Sequence, residues 1–562
     1  MTGGALAPPD TASGPRLRRP SITAVLLVAG VLVQLLPLLL FPIVLTQDGA
    51  AHVDGAWILV HHGDGGPLGA VLRQQYRVDL APVPNMFTTL VLAGLIRVFS
   101  ADAAERWLVG AFAVALVAAA GYAARGVDRR AGWLAAAALS LVGSQLAGYG
   151  FYNFCWGVVG ALLVLGFSLR RRAGWSPAAA VGLAVVLTLT WTAHLLPYGI
   201  ALLGLALLAA ARTRVDSRGG LTLSAALRRH VLPVALAALP SLALTGRYAA
   251  AGSGALGGPV GWPSAARLGS LVTGFRPLVV DSWLELAPAI VVVGTLVYLG
   301  ARAAGRWPRR PEARTPRSPE RWALAVLLAC CTAAYLLTPD RFGDNFGFLP
   351  ERLAWFPLLL LALWSATRPA ARRVRLVATV LLVVAACAAV GIRLPAQSHA
   401  ARDAREFLSV AGAIRPGSDF VVLRYSRSAP APLPVSPHGA PDYLRHESSR
   451  LAIRSDSADA GLYEAETPYF QVSFDGGPEV WRRLTSDPSD LEQQPPVVDL
   501  AAARGMLDYV VVVGLDRAGR GVRHAPDTQA VLRELTANYQ LVKVSSPTGL
   551  ASVWRFRGTT PG

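Results

Sequence analysis

Long apolar runs, separated by short arginine-rich loops, fill most of this 562-residue chain. A bilayer core takes about 20 apolar residues per helix. Segments near 21–45, 104–124, 131–148, 154–169, 177–193, 196–211, 231–246, 284–301, 322–338, 352–367 and 376–393 approach that length, eleven in all. Inside lipid every backbone polar group must be satisfied within the chain, and helices do that. The expected fold is therefore mainly α, a polytopic membrane protein. Its membrane domain covers 21–394 and follows a short cytoplasmic tail at 1–20. Hydrophobic residues make up 53% and charged residues 16%. That is too apolar for an ordinary soluble enzyme or a disordered chain.

The net charge of +18 has two readings, a nucleic-acid partner or arginine marking the cytoplasmic side of the spans. All basic residues but Lys543 are arginine, and their positions decide. Arg125, Arg129 and Arg130 share one loop, Arg170, Arg171 and Arg172 the next, and Arg212, Arg214 and Arg218 another. Arg302, Arg309, Arg317, Arg368 and Arg372 fall in later loops on the same expected side. The opposite loops carry Asp48, Asp281, Glu285, Asp340, Asp344 and Glu351. This alternation predicts a multi-pass plasma-membrane protein with a cytoplasmic N-terminus. Arginine spread over many loops forms no stripe for nucleic acid, so no nucleic-acid partner is expected. The apolar stretch 85–99 is short and holds Arg97; it reads as an interfacial helix within a first outside loop over 46–103. Cys155, Cys330, Cys331 and Cys387 sit in apolar runs without zinc-ligand spacing and read as small hydrophobes.

From 395 to 562 the chain changes character and predicts an extracytoplasmic α/β domain. Helical periodicity covers 401–414 and 528–539, and strands are expected at 420–425, 507–513, 540–544 and 551–556.

The first outside loop carries the most chemistry. Asp48 follows the first span directly and is an N-cap residue by type; His52 lies four positions on, on the same helix face. A carboxylate beside an imidazole is suited to general-base work, though a capping aspartate with an unrelated histidine fits the spacing equally. Ionisable groups at a membrane are costly and usually functional. His194, Asp54, Arg73, Arg77, Arg247 and the run Asp340, Arg341, Asp344 are further polar groups on the outer side. His61, His62 and Asp64 resemble a metal cluster only in composition. Tyr463, Tyr469, Phe470 and Trp481 in the tail are aromatics suited to sugar rings or to core packing.

The acid after the first span, the long first outside loop, the span number and the C-terminal outside domain together resemble the GT-C glycosyltransferase superfamily. That group includes protein O-mannosyltransferases, aminoarabinose transferases of lipid A and many bacterial members. The string Gln47-Asp48-Gly49-Ala50-Ala51-His52 looks like the aspartate-plus-histidine start of those bacterial members. Tyr149 to Phe154, with Tyr152 and Asn153, looks like their second outside loop. Arg352, opening Arg352-Leu353-Ala354-Trp355-Phe356-Pro357, is similar to the arginine-plus-proline helix start that faces a lipid phosphate. The resemblance implies a polyprenyl-phosphate-linked sugar donor and an extracytoplasmic acceptor. Asp48 and His52 would be catalytic, and Arg352, His194, Asn153, Tyr152, Asp54 and Arg341 would bind substrate. A divalent metal is the only cofactor it suggests, and two departures argue against one: Gln47 stands beside Asp48 where a second acid would be, and Asn153 replaces an acid. The chain has no Gly-rich phosphate loop after a strand, as cytoplasmic nucleotide-sugar chemistry would favour. Two other classes fit a polytopic chain, a transporter or lipid flippase and a non-catalytic scaffold. A transporter should place charges at the bilayer midplane, whereas the polar groups here gather at the outer edge.

Overall fold

In the computed structural model the described residues are 21–172, 174–251, 260–262, 277–305, 318–339, 341–342, 347–427, 440–467, 469–474, 480–485 and 494–558. Among them, seven helices are long and apolar enough to cross a bilayer: Ala101–Val127, Tyr152–Arg170, Leu195–Arg218, Leu232–Ala251, Trp283–Ala304, Pro319–Leu337 and Arg372–Ala413. The chain is a multi-pass membrane protein.

The other four expected spans are shorter or broken, for local reasons. Pro177–Ala193 is one helix of 17 residues. The 21–45 stretch divides into Ile22–Gln34 and Leu36–Leu40, because Pro37 has no N–H to continue the ladder. Pro357 does the same to 352–367, which forms Leu349–Leu353 and Trp355–Ser365. The 131–148 stretch departs most: a 3₁₀ turn Ala131–Ala135, then Ala136–Val142, then Gln145–Gly148, interrupted at Gly143. The break frees the Gly143 carbonyl, and Arg393 Nη1 donates to it. The same guanidinium donates to Leu278 O at 3.0 Å and pairs with the buried Glu285 at 2.6 Å. One arginine thus satisfies two irregular backbone ends. Phe87–Ile96 has 10 residues, about 15 Å at 1.5 Å per residue, half of a bilayer core. It packs beside Gly49–His61 in the first loop.

No separate helix forms at 401–414. The helix Arg372–Leu408 runs unbroken for 37 residues past the expected domain boundary at 394/395 and carries the membrane domain into the tail. The tail's five-stranded sheet has the order Ala458–Asp459, Asp419–Arg424, Tyr509–Val513, Ala551–Phe556, Tyr539–Val544. The first three strands are parallel and the last two antiparallel. Alternate residues serve two cores, as the pleat dictates. Phe420, Val511 and Val513 join Phe407, Leu408 and Leu451 on one face, and Val421, Leu423, Val510 and Val512 join Leu535 and Tyr539 on the other. Burial on both faces explains why the central strand reads as an uninterrupted β-branched run. A second, two-stranded antiparallel ribbon pairs Tyr76–Val78 of the first loop with Val472–Phe474 of the tail. The tail is therefore stitched to the first loop through backbone as well as side chains.

Candidate active site

Asp48 is fixed by backbone before its side chain does anything. Gln47 N–H donates to Gly148 O and Asp48 N–H donates to Tyr149 O, both at 3.0 Å. Gly150, at φ +82°, permits the close approach: a Cβ there would stand 2.7 Å from Gly49 N. Asp48 occupies the N-cap position of Gly49–His61 but makes no capping bond with its side chain. Its carboxylate accepts from Gln47 Nε2 at 3.2 Å instead. It also lies 3.4 Å from Nε2 of His446, a tail residue.

The pairing expected between Asp48 and His52 is not the one formed. His52 turns its Nδ1 to Glu464 of the tail and packs against Tyr152 and Phe470 at 5.5 and 5.7 Å between ring centroids. Glu464 can come this close because residue 55 is glycine; a Cβ there would lie 2.7 Å from Glu464 Oε2. Burial works against a charged His52, but Glu464 outweighs it and raises the pKa above the ordinary value. His446 goes the other way. Burial, then the charges of Arg445, Arg424 and His52, push it well below the usual range, so it is neutral at neutral pH. Its ring packs at a tilt against Tyr463, 4.3 Å between centroids. Asp54, further along the same helix, is buried and held well above the ordinary carboxylate range by burial, then by Asp459 and Glu464.

Arg352 approaches from the membrane domain. Its Nη1 donates to Gly347 O at 2.9 Å, and its guanidinium lies 4.8 Å over the Phe151 ring. The charged groups near enough to act on it include Glu351 and Asp48. His194, whose Nδ1 accepts from Leu196 N–H at 3.1 Å, lies within the field of Arg352. Asp48 therefore lies beside the tail's His446, and Arg352 is near enough to both Asp48 and His194 for their charges to act on one another.

Two residues expected to bind substrate are engaged in scaffolding. Asn153 takes the Thr88 N–H on its Oδ1 at 2.9 Å and donates from Nδ2 to Asn85 O at 2.7 Å, which fixes the start of Phe87–Ile96. Tyr152 OH donates to Glu105 Oε1 at 2.6 Å and lies 3.0 Å from Thr46 Oγ1. Arg341 pairs through its backbone with Gly261, and its side chain lies outside the described residues, as do Asp340 and Asp344. Arg73 donates to His62 O and Asp64 O, and His61 bonds Asp64, so that cluster is satisfied locally. Among the described residues no group of three or more His, Cys, Asp or Glu is placed to hold a metal ion.

The sequence reading missed the tail's contribution. Arg450, 1% exposed, reaches Asp102 at 2.8 Å, Glu105 at 2.6 Å and Glu447 at 3.1 Å, and donates to Val44 O at 3.0 Å. Tyr443 OH donates to Asp281 at 2.9 Å. Apart from Arg450–Glu447, these contacts join residues 162 to 406 positions apart, and spacing along the chain gives no sign of them.

No family model matches the chain, and no curated protein matches it in sequence. Among solved structures it is similar to ArnT from Cupriavidus metallidurans bound to undecaprenyl phosphate. The identity is 12% and the TM-score 0.51, over 94% of this chain and 97% of that one. ArnT from the same organism in the apo state is similar at 11% identity and TM-score 0.51, with the same coverage. Over 94% of its length the chain therefore shares the fold of ArnT.

Proposed function

We propose that the chain is a membrane glycosyltransferase that moves a sugar from a polyprenyl phosphate to an acceptor on the extracytoplasmic side. The observation that carries this reading is the Asp48 carboxylate, fixed by backbone at the start of Gly49–His61 beside the tail's His446, with Arg352 near enough for the two charges to act on each other. The shared fold with ArnT, whose structure was solved with undecaprenyl phosphate, supports a lipid-linked donor. On this reading the N-terminus is cytoplasmic and the tail extracytoplasmic, which the arginine-rich loops favour.

The reaction is a direct displacement. The acceptor hydroxyl oxygen bonds to the anomeric carbon as the carbon–oxygen bond to the lipid phosphate breaks. Asp48 takes the hydroxyl proton, and the phosphate leaves with its negative charge against Arg352. A neutral His446, donating from Nε2 to Asp48, keeps the carboxylate oriented without neutralising it. His52 serves the tail contact through Glu464 rather than the proton transfer.

Mass spectrometry of envelope glycans tests the proposal. A strain lacking the chain should lose one sugar substituent; the wild-type sequence should restore it and Asp48→Asn should not. Restoration by Asp48→Asn would contradict the role given to Asp48.

A further inference from the structure

The helix Ala101–Val127 meets the tail at its first turns, where Asp102 and Glu105 pair with Arg450. Its 27 residues carry the chain about 40 Å, farther than the roughly 30 Å of a bilayer core. Asp128, the next residue, therefore stands at headgroup level on the face opposite the tail. A pocket opens there. Its walls come from Asp128 to Leu134 and from the link between Trp355–Ser365 and Arg372–Leu408. The cavity measures about 60 Å³. A water takes up about 30 Å³ of liquid, so the space suits one compact ionic group and no sugar ring.

The wall is basic. Arg130, Arg368 and Arg375 line it, against one carboxylate, Asp128. That carboxylate is turned to the backbone, with Oδ1 accepting from Arg130 N–H at 2.9 Å. Other arginines on this face are used within the protein. Arg170 donates to Gly166 O, Arg172 to Val127 O and Arg321 to Ala303 O, and Arg212 pairs with Glu320. The pocket's arginines differ. Among the described residues neither Arg130 nor Arg375 has a side-chain hydrogen bond or ion pair, and Arg368 commits only Nη1, to Arg302 O at 3.3 Å. Like charges gathered around one small cavity repel, and an anion between them removes the repulsion. Phosphate suits such a wall, because its oxygens accept from several guanidinium forks at once. Basic pockets between membrane helices at headgroup level are where lipid phosphates are held.

We propose that this pocket binds a phosphate group at the membrane surface opposite the tail, held by Arg130, Arg368 and Arg375. A phospholipid head and free phosphate both present that chemistry. The inference does not depend on the transferase reading, since the pocket and Asp48 lie at opposite faces of the bilayer.

The test uses the purified full-length protein in detergent. It is titrated with inorganic phosphate by calorimetry, and with dioleoylphosphatidylglycerol or dioleoylglycerol by native mass spectrometry. At least one phosphate-bearing probe should bind, about 10-fold or more tighter than dioleoylglycerol where the lipid is the one that binds. Binding of phosphatidylglycerol alone identifies a lipid head, and binding of inorganic phosphate identifies a site open to the soluble ion. Arg375→Gln should weaken that binding about 10-fold or more and Arg375→Lys by less. Arg218→Gln removes the same charge from an exposed arginine outside the pocket and should leave binding unchanged. Melting temperatures establish that each variant is folded; should Arg375→Gln not fold, Arg130→Gln, at an exposed position, makes the same comparison. No binding of either phosphate-bearing probe, undiminished binding by the folded pocket variant, or an equal loss in Arg218→Gln overturns the proposal.

Discussion

Arg450 Nη2 lies 2.6 Å from Glu105 Oε2, a buried ion pair between tail and membrane domain across 345 residues of chain. Both side chains are essentially excluded from water. Removing one partner of such a pair leaves an uncompensated buried charge, at a cost of about 3–5 kcal/mol. Arg450→Ala should therefore loosen the tail, seen as faster limited proteolysis of its junction with the first loop and a lower melting temperature. Combining it with Glu105→Gln should recover part of the loss. An unchanged proteolysis pattern in Arg450→Ala would show that the ribbon Tyr76–Val78 with Val472–Phe474 holds the tail alone.

How far the sequence alone reaches follows from the physics of each part. The spans and the tail strands were legible because hydropathy and period-two patterning are local. The strands expected at 420–425 and 551–556 lie at Asp419–Arg424 and Ala551–Phe556. The breaks in 131–148 and the run of Arg372–Leu408 through the expected boundary were not, since packing decides them. At the site, Asp48 and Arg352 stood out as polar residues at helix starts. His446 and Glu464 did not. Nothing along the chain says which histidine a distant carboxylate will meet, so the i,i+4 spacing of Asp48 and His52 gave no sign of the contacts Asp48–His446 and His52–Glu464.

Exchanging the two histidines' roles gives separable outcomes. His446→Ala should lower kcat about 10-fold, the worth of one hydrogen bond to a charged group, and leave polyprenyl-phosphate affinity unchanged. His446→Gln, which keeps a donor, should recover much of the rate. His52→Gln should act mainly on melting temperature, through the lost Glu464 contact. A larger kcat loss in His52→Gln than in His446→Ala would restore His52 to the reaction.

Arg352 should act on the lipid phosphate. Arg352→Ala should weaken undecaprenyl phosphate binding about 10–100-fold, the range for losing charge-assisted hydrogen bonds. Arg352→Lys should retain part of it, because charge survives while the planar fork is lost. Equal affinity in all three proteins, measured by lipid competition, would move the phosphate elsewhere.

The tail contact also predicts a pH response. Burial, and then the nearby Glu285, push the Asp281 carboxyl up to about 7, with Arg393 and the Tyr443 hydroxyl partly offsetting them. The folded chain holds a proton there that the unfolded chain releases near pH 4, so this group's contribution to stability falls as pH rises from about 4 to about 7. Comparing melting temperatures across that window, Asp281→Asn should show a flatter decline than the wild type. An identical slope would remove Asp281 from the titration.

The most direct measurement follows sugar from donor to acceptor. Membrane vesicles containing the chain would be given radiolabelled sugars on undecaprenyl phosphate, one sugar type at a time. With the wild type, label from at least one donor should pass to an envelope acceptor and release undecaprenyl phosphate. With Asp48→Asn, inserted and folded to the same level, transfer should fall by about 10²–10⁴-fold, the usual contribution of a general base. Equal transfer by the two proteins would contradict the account.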